Sequence, residues 1–217
     1  MKKLFCALMF LPFMLVTTVS KAASVEGFTI GASLGEFAAY AHGKETTNGN
    51  TSYPDAERIT EEDGAFKHDY GAIFIEASLG GASLGLSYVP MVIETPQNTN
   101  TKNGSKNTAK AEIENLTTLY LLVPMVAGIY GKAGISIADI KSVENLATSS
   151  ATFGDSDTTG FNVGLGWQAD LEDGMGIRAE IGAAVYDDVT VTGSNSSKLE
   201  FTDMMSAQAT ISVLKSF

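Results

Sequence analysis

The sequence predicts an all-β fold: an eight-stranded antiparallel up-and-down transmembrane β-barrel behind a cleaved signal peptide. Three observations predict it. Apolar and small polar residues alternate with period two through much of the chain. Short turns and long polar stretches alternate strictly between those runs. The only long apolar block lies at the N-terminus. Period-two alternation is the signature of a strand with two unlike faces. Short turns at one end of a sheet and long loops at the other are the layout of a barrel that crosses a membrane.

Composition excludes several classes. The 217 residues carry a net charge of -11, and only 18% are charged against 44% hydrophobic. With 22 glycines, that balance excludes a coiled coil and a disordered chain. The acidic balance argues against nucleic-acid binding, which needs clustered Lys and Arg. Two histidines and one cysteine leave little for a transition-metal site or a Cys-His nucleophile pair.

The first element is a signal peptide, residues 1–22. Lys2 and Lys3 form the basic start, Leu4 to Val19 the apolar run, and Ser20-Lys21-Ala22 a small-residue cleavage site. The apolar run is short for a spanning helix, which needs about 20 residues. Cys6 leaves with it, so the mature chain, residues 23–217, has no cysteine. Loss of three lysines takes the charge from -11 to about -14. The mature protein is expected to work outside the cytoplasm without disulfides.

Eight strands follow, at about 27–41, 67–80, 82–94, 110–124, 128–142, 159–171, 175–189 and 201–217. The clearest alternation sets Phe161, Val163, Leu165 and Trp167 against Asn162, Gly164, Gly166 and Gln168. It recurs with Ile177, Ala179, Ile181 and Ala183 against Arg178, Glu180 and Gly182, and with Ile211 and Val213 against Thr210 and Ser212. Gly80-Gly81 and Asp173-Gly174 are two-residue hairpin signals, and Pro124 to Gly128 is a third short connection. His42–Phe66, Thr95–Thr108, Glu144–Thr158 and Asp187–Glu200 are read as long polar loops.

The polar face carries Gly, Ser, Asn and Gln with few charges, which suits the tight interior of eight strands. The apolar face, with Phe161, Trp167, Ile177, Ile181, Ile211 and Val213, suits lipid. Closure also removes sheet edges that lipid cannot hydrogen-bond. A secreted soluble barrel or sandwich with the same apolar face turned inward is the competing reading.

The chain stops at Phe217 directly after a strand, with Val213, Ile211 and Ala209 at alternate positions before it. In this, and in its eight alternating runs, it resembles the small outer-membrane β-barrel family of the OmpA transmembrane-domain and Ail type. The resemblance implies that the terminal strand ending in Phe217 is a signal for the barrel assembly machinery, with periplasmic chaperones as further partners. Lys215 departs from the pattern, which favours an aromatic there, and is expected to snorkel at the interface. The full-length OmpA-like architecture adds a periplasmic domain that grips peptidoglycan; no such segment follows the eighth strand here, so that tether is not expected.

The candidate lumen charges are Glu76, Lys132, Asp170, Arg178 and Glu180, with Glu112 and Glu114 as further candidates of uncertain register. Unpaired charges in a narrow barrel are costly, so opposite signs are expected to pair as a packed plug or a gate. His42 and His68 flank the first long stretch and could face each other, with Asp69 adjacent. No His-x-Ser pair or other catalytic motif accompanies them, so no enzyme, metal or cofactor is expected. Acidic groups such as Glu61, Glu62 and Asp63 lack EF-hand spacing and read as a solvated loop surface. Three functions stay open. The first is a structural and surface-interaction barrel, with outer-membrane lipid, lipopolysaccharide and an extracellular loop ligand as partners. The second is a small channel or transporter for ions or small apolar solutes. The third is a lipid-modifying outer-membrane enzyme. The expected location is the outer membrane.

Overall fold

Eleven strands form one antiparallel sheet in a computed structural model that describes residues 25–47, 58–102, 105–145, 152–194 and 196–217. The predicted signal peptide lies outside the described residues. In chain order the strands are β1 (Gly27–Thr47), β2 (Arg58–Ser78), β3 (Ser83–Tyr88), β4 (Ile93–Glu94), β5 (Asn98–Lys102), β6 (Ser105–Pro124), β7 (Ile129–Asn145), β8 (Ser156–Asp170), β9 (Met175–Tyr186), β10 (Val189–Thr192) and β11 (Lys198–Ser216). Eight of them, β1, β2, β3, β6, β7, β8, β9 and β11, form the wall in sequence order. β11 returns to β1, from Thr29 opposite Ser216 to Thr46 opposite Lys198, and this closes the barrel. β4 and β5 extend the wall on β6, and β10 extends it on β11.

The three short turns stand at one end. At the first, Gly80 and Gly81 adopt φ of 62° and 104°, a region side chains rarely enter, and Leu79 N–H donates to Ala82 O at 2.8 Å. Both ends of the barrel domain are tied down there: Glu26 N–H donates to Ser78 O at 2.9 Å, and Phe217 N–H to Phe28 O at 2.9 Å.

At the other end the strands outrun the prediction. β1 continues to Thr47 and β2 begins at Arg58, so much of the stretch 42–66 is sheet rather than loop. β6 begins at Ser105, inside the predicted loop 95–108, and β10 lies inside the predicted loop 187–200. A backbone ladder does not require alternating side chains, so where both faces of these extensions carry polar residues the sequence signal fades while the hydrogen bonding continues.

The third strand differs in the opposite sense. The run 82–94 breaks after Tyr88, because Pro90 has no N–H to offer a ladder. Val89 N–H instead donates to Leu116 O at 3.0 Å, and the β2–β3 ladder ends at Ile73 opposite Tyr88. β9 likewise ends at Tyr186 rather than at 189.

The sheet is apolar on the outside. Leu34 is 75% exposed, Ile211 71% and Ile181 64%. Trp167, Ile177 and Val213 are exposed on the same face, where Phe161 is half-buried between Ile135 and Val185. Thr29, Ser33, Asn162, Thr210 and Ser212 are buried on the inside. Along β9 the outward apolar row runs from Met175 to Val185. Ten steps of about 3.3 Å, tilted by about 40°, rise about 25 Å, the height of a lipid-facing band.

Candidate functional site

The lumen is closed by charge near the short-turn end and by apolar packing above. β9 carries Arg178 inward and β2 carries Glu76 inward, and both side chains are buried. The guanidinium holds the carboxylate with two hydrogen bonds, at 2.6 Å to Oε1 and 2.9 Å to Oε2. Tyr120 Oη donates to the same Oε1 at 2.8 Å. Arg178 also donates to Gln168 Oε1, from Nε at 3.2 Å and from a terminal nitrogen at 2.8 Å. The rings of Phe74 and Tyr130 each lie 5.2 Å from the guanidinium carbon. A bidentate Arg–carboxylate pair with its remaining sites satisfied is the form in which a buried charge pair is tolerated.

A second pair stacks beside the first. Lys132 Nζ lies 3.2 Å from Glu180 Oε1 and 4.2 Å from the centre of the Tyr120 ring. Glu76, Arg178, Lys132 and Glu180 therefore meet as two pairs of opposite sign. Asp170 is on the margin: it is exposed at the end of β8 and accepts from Gln168 Nε2 at 2.8 Å.

Sequence reasoning missed the aromatic half of this plug. Tyr120 and Tyr130 fit only because their neighbours on the next strand are glycines. A Cβ at Gly85 would come within 2.3 Å of the Tyr120 ring, and one at Gly166 within 2.2 Å of the Tyr130 ring. The signal was present as inward-facing glycine beside inward-facing tyrosine, but it is readable only once the register is known.

Beside the Lys132–Glu180 pair lies a cavity of about 40 Å³, lined also by Ser33, Thr118, Ser136 and Asn162. Higher still, Phe37, Tyr70, Ala72, Val89, Ile93, Leu116 and Ala138 form an apolar cluster inside the barrel. Phe37 packs against Phe66 and Tyr70 with ring centres 6.2 and 6.3 Å apart. A polar lumen was expected throughout; the apolar cap is a correction. One of its members, Leu116, is there because of a bulge in β6. Between Glu114 opposite Asp139 and Thr117 opposite Ile137, β6 spends two residues against one. Asn115 there has φ of 53°, and Leu116 is turned inward.

The same bulge removes two candidates from the lumen. Ile113 packs against the interior cluster, so Glu112 and Glu114 point outward. Glu112 pairs with Lys110 at 2.8 Å and Glu114 with Lys141 at 2.5 Å. Glu36 also points outward, to Lys67 at 2.6 Å, and the register through Gly35 is unbroken.

The two histidines do not meet. His42 stands opposite Asp63 and His68 opposite Phe37, five positions apart along the β1–β2 ladder and on opposite faces. His42 Nδ1 lies 2.8 Å from Asp63 Oδ1, which also accepts from Tyr40 Oη at 2.9 Å. The Asp63 hydrogen bond raises the pKa of His42, and its hydrogen bonds from His42 and Tyr40 lower that of Asp63. His68 Nδ1 faces the neighbouring Asp69 carbonyl at 2.6 Å. Among the described residues no three His, Cys, Asp or Glu side chains gather as a metal site. At the short-turn end Lys215 reaches the Asp173 carbonyl and lies 5.9 Å from the centre of the exposed Phe217 ring.

A closed barrel with apolar side chains outside and a packed interior has the fold of OprG, an outer-membrane protein. OprG from Pseudomonas aeruginosa matches with a TM-score of 0.53 at 12% identity, over 88% of this chain and 97% of that one. Neisserial surface protein A matches at 0.41 and 13% identity, over 91% and 100%. Ail of Yersinia pestis matches at 0.43 and 10% identity, over 88% and 99%. At 12% identity the likeness to OprG is one of fold. No protein-family model matches the sequence, and no curated protein matches it.

Proposed function

We infer that this chain is a non-enzymatic outer-membrane protein that acts at the cell surface, through the strand extensions and connections above a lumen that does not conduct. The observation that carries the reading is the buried bidentate pair between Arg178 and Glu76, closed over by the Tyr120 hydroxyl. A narrow lumen stopped by an ion pair and an apolar cap leaves the outer rim as the working surface. Export by residues 1–22, recognition of Phe217 by the assembly machinery, escort by periplasmic chaperones and contact with lipopolysaccharide complete the proposal. The placement of His42 and His68 on opposite faces gives no support to a lipid-modifying enzyme. The test is planar-bilayer conductance of the folded chain, with heat-modifiability of the membrane fraction to establish the folded barrel. The wild type is expected to show no steady conductance. A steady open level would overturn the reading.

A second reading has its own observation. Lys132–Glu180 lies beside Glu76–Arg178 in the lumen, so the two pairs could exchange partners and gate a path for ions. It requires Glu76→Gln to raise conductance well above the wild-type level.

A further inference from the structure

We propose that the free edge of β2 above the membrane is a docking strand for an extended, basic polypeptide, which adds to the barrel wall as one more strand. The proposal deepens the surface-interaction reading and rests on it for the side of the membrane on which the edge lies.

The edge comes from the broken third strand. β2 pairs with β1 along its whole length, from Arg58 opposite Thr47 to Ser78 opposite Gly27, with no shift of register. On its other side it pairs with β3 only from Ile73 to Ser78. Above Ile73 no strand among the described residues pairs with β2 on that side. Successive residues of a strand aim their N–H and C=O to opposite sides. Ile73 and Ile75 face β3, and so does Gly71, whose N–H reaches Met91 Sδ at 3.0 Å. The odd-numbered residues from Ile59 to Asp69 therefore aim their N–H and C=O groups to that side, where β4 lies against part of β2 with Ile93 in the cluster of Tyr70 and Ala72. The Gly71 bond marks where the ladder runs out, because a thioether sulfur is a weak acceptor. An unpaired edge of this length is a template for another chain.

Charge says what kind of chain. Glu61, Glu62, Asp63 and Asp69 are all exposed on this segment. Its one lysine in that stretch, Lys67, is held by Glu36 at 2.6 Å. Carboxylates repel a strand of the same sign and so discourage pairing between copies, and they attract Lys or Arg at alternate positions of an incoming strand. The Phe66–Phe37 contact stiffens the edge from behind, so little ordering is required of the barrel on docking.

The probe is a synthetic peptide of twelve residues alternating Lys and Thr, titrated by fluorescence anisotropy against the folded full-length chain in detergent micelles. Saturable binding is expected, with none for the alternating Glu–Thr peptide. Ala65→Pro removes an N–H on the open side and leaves the β1 ladder intact, and should weaken binding at least tenfold with the heat-modifiable band retained. Glu61→Lys, which touches no backbone bond, should weaken it as well. A Lys–Thr peptide N-methylated at every second residue should lose binding, since only backbone pairing is blocked. No binding of the Lys–Thr peptide, or equal binding by the proline variant or the methylated peptide, would overturn the proposal. These results are independent of conductance, so a failed edge and a conducting lumen are told apart.

Discussion

Arg178 and Glu76 are 102 residues apart in the chain and are joined by two hydrogen bonds of 2.6 and 2.9 Å in the barrel interior. Each side chain is at most 4% exposed, so neither charge has water to fall back on. Removing one partner leaves the other uncompensated. Arg178→Ala is therefore expected to destabilise the folded barrel by about 3–5 kcal/mol, and Arg178→Met with Glu76→Met to recover most of that loss. Denaturant unfolding in lipid vesicles measures both. A double variant no more stable than the single one would show that the pair itself contributes the stability.

The glycines that make room for the tyrosines give a second prediction. Gly85→Ala drives a methyl group into the Tyr120 ring at 2.3 Å and so disturbs the hydroxyl that caps Glu76. A loss of about 1–3 kcal/mol is expected, as for other overpacked interiors. Gly154→Ala meets nothing within 4 Å and is the control. Equal midpoints for the two variants in denaturant would contradict the packing described here.

How much of this was legible in the sequence depends on what the side chains had to satisfy. Along the apolar band each strand has one packed inner face and one exposed apolar face, and the alternation around Trp167, Ile177 and Ile211 reads directly onto the outer wall. The charges Glu76, Lys132, Arg178 and Glu180 were legible as interior residues for the same reason, although which sign met which required the register. The fourth strand was not legible, because the bulge at Asn115 exchanges inside and outside halfway along it. Glu112 and Glu114 then fall outside while Leu116 falls inside. A second bulge in β11, at Asp203 with φ of 52°, does the same between Met205 opposite Tyr40 and Thr202 opposite His42. Beyond the apolar band the strands are held by backbone ladders and by exposed side-chain pairs such as Lys67–Glu36 and Lys141–Glu114, and polar sequence gives no periodic sign of them.

The inside-out arrangement makes a third prediction. Ile181 and Ile211 sit in the middle of the outward rows of β9 and β11 and are 64% and 71% exposed. On a water-soluble protein such positions tolerate a charge within about 0.5 kcal/mol. In a bilayer, Ile181→Arg or Ile211→Arg should cost about 2–4 kcal/mol, falling toward zero for an equivalent change at the rim, such as Ala65→Arg. Folding titrations in vesicles of defined lipid read the difference. A uniform small effect across depth would place water, not lipid, against this face.

The rim contact between His42 and Asp63 sets a window of pH. His42 has its pKa raised by the hydrogen bond to Asp63 first, with smaller contributions from the charges of Asp63, Glu61 and Asp203, and with desolvation opposing. A raised histidine pKa contributes stability below the unfolded value near 6.5, and that contribution is lost as the pH rises through the folded value. Asp63 has its pKa lowered by His42 and then by Tyr40. Its contribution is present above the ordinary carboxylate value near 3.9 and is lost as the pH falls through the lowered one. The contact between β1 and β2 at this height is thus firmest from about pH 4 to somewhat above 6.5. Both groups are solvent-exposed, so the effect is local to the rim and screened by salt. Amide exchange in β1 and β2 near His42, corrected for intrinsic rates, should quicken above that window in the wild type. In Asp63→Asn it should be quicker throughout, and the His42 ring should titrate closer to 6.5 by NMR. A His42 midpoint unmoved by Asp63→Asn would remove Asp63 as the cause.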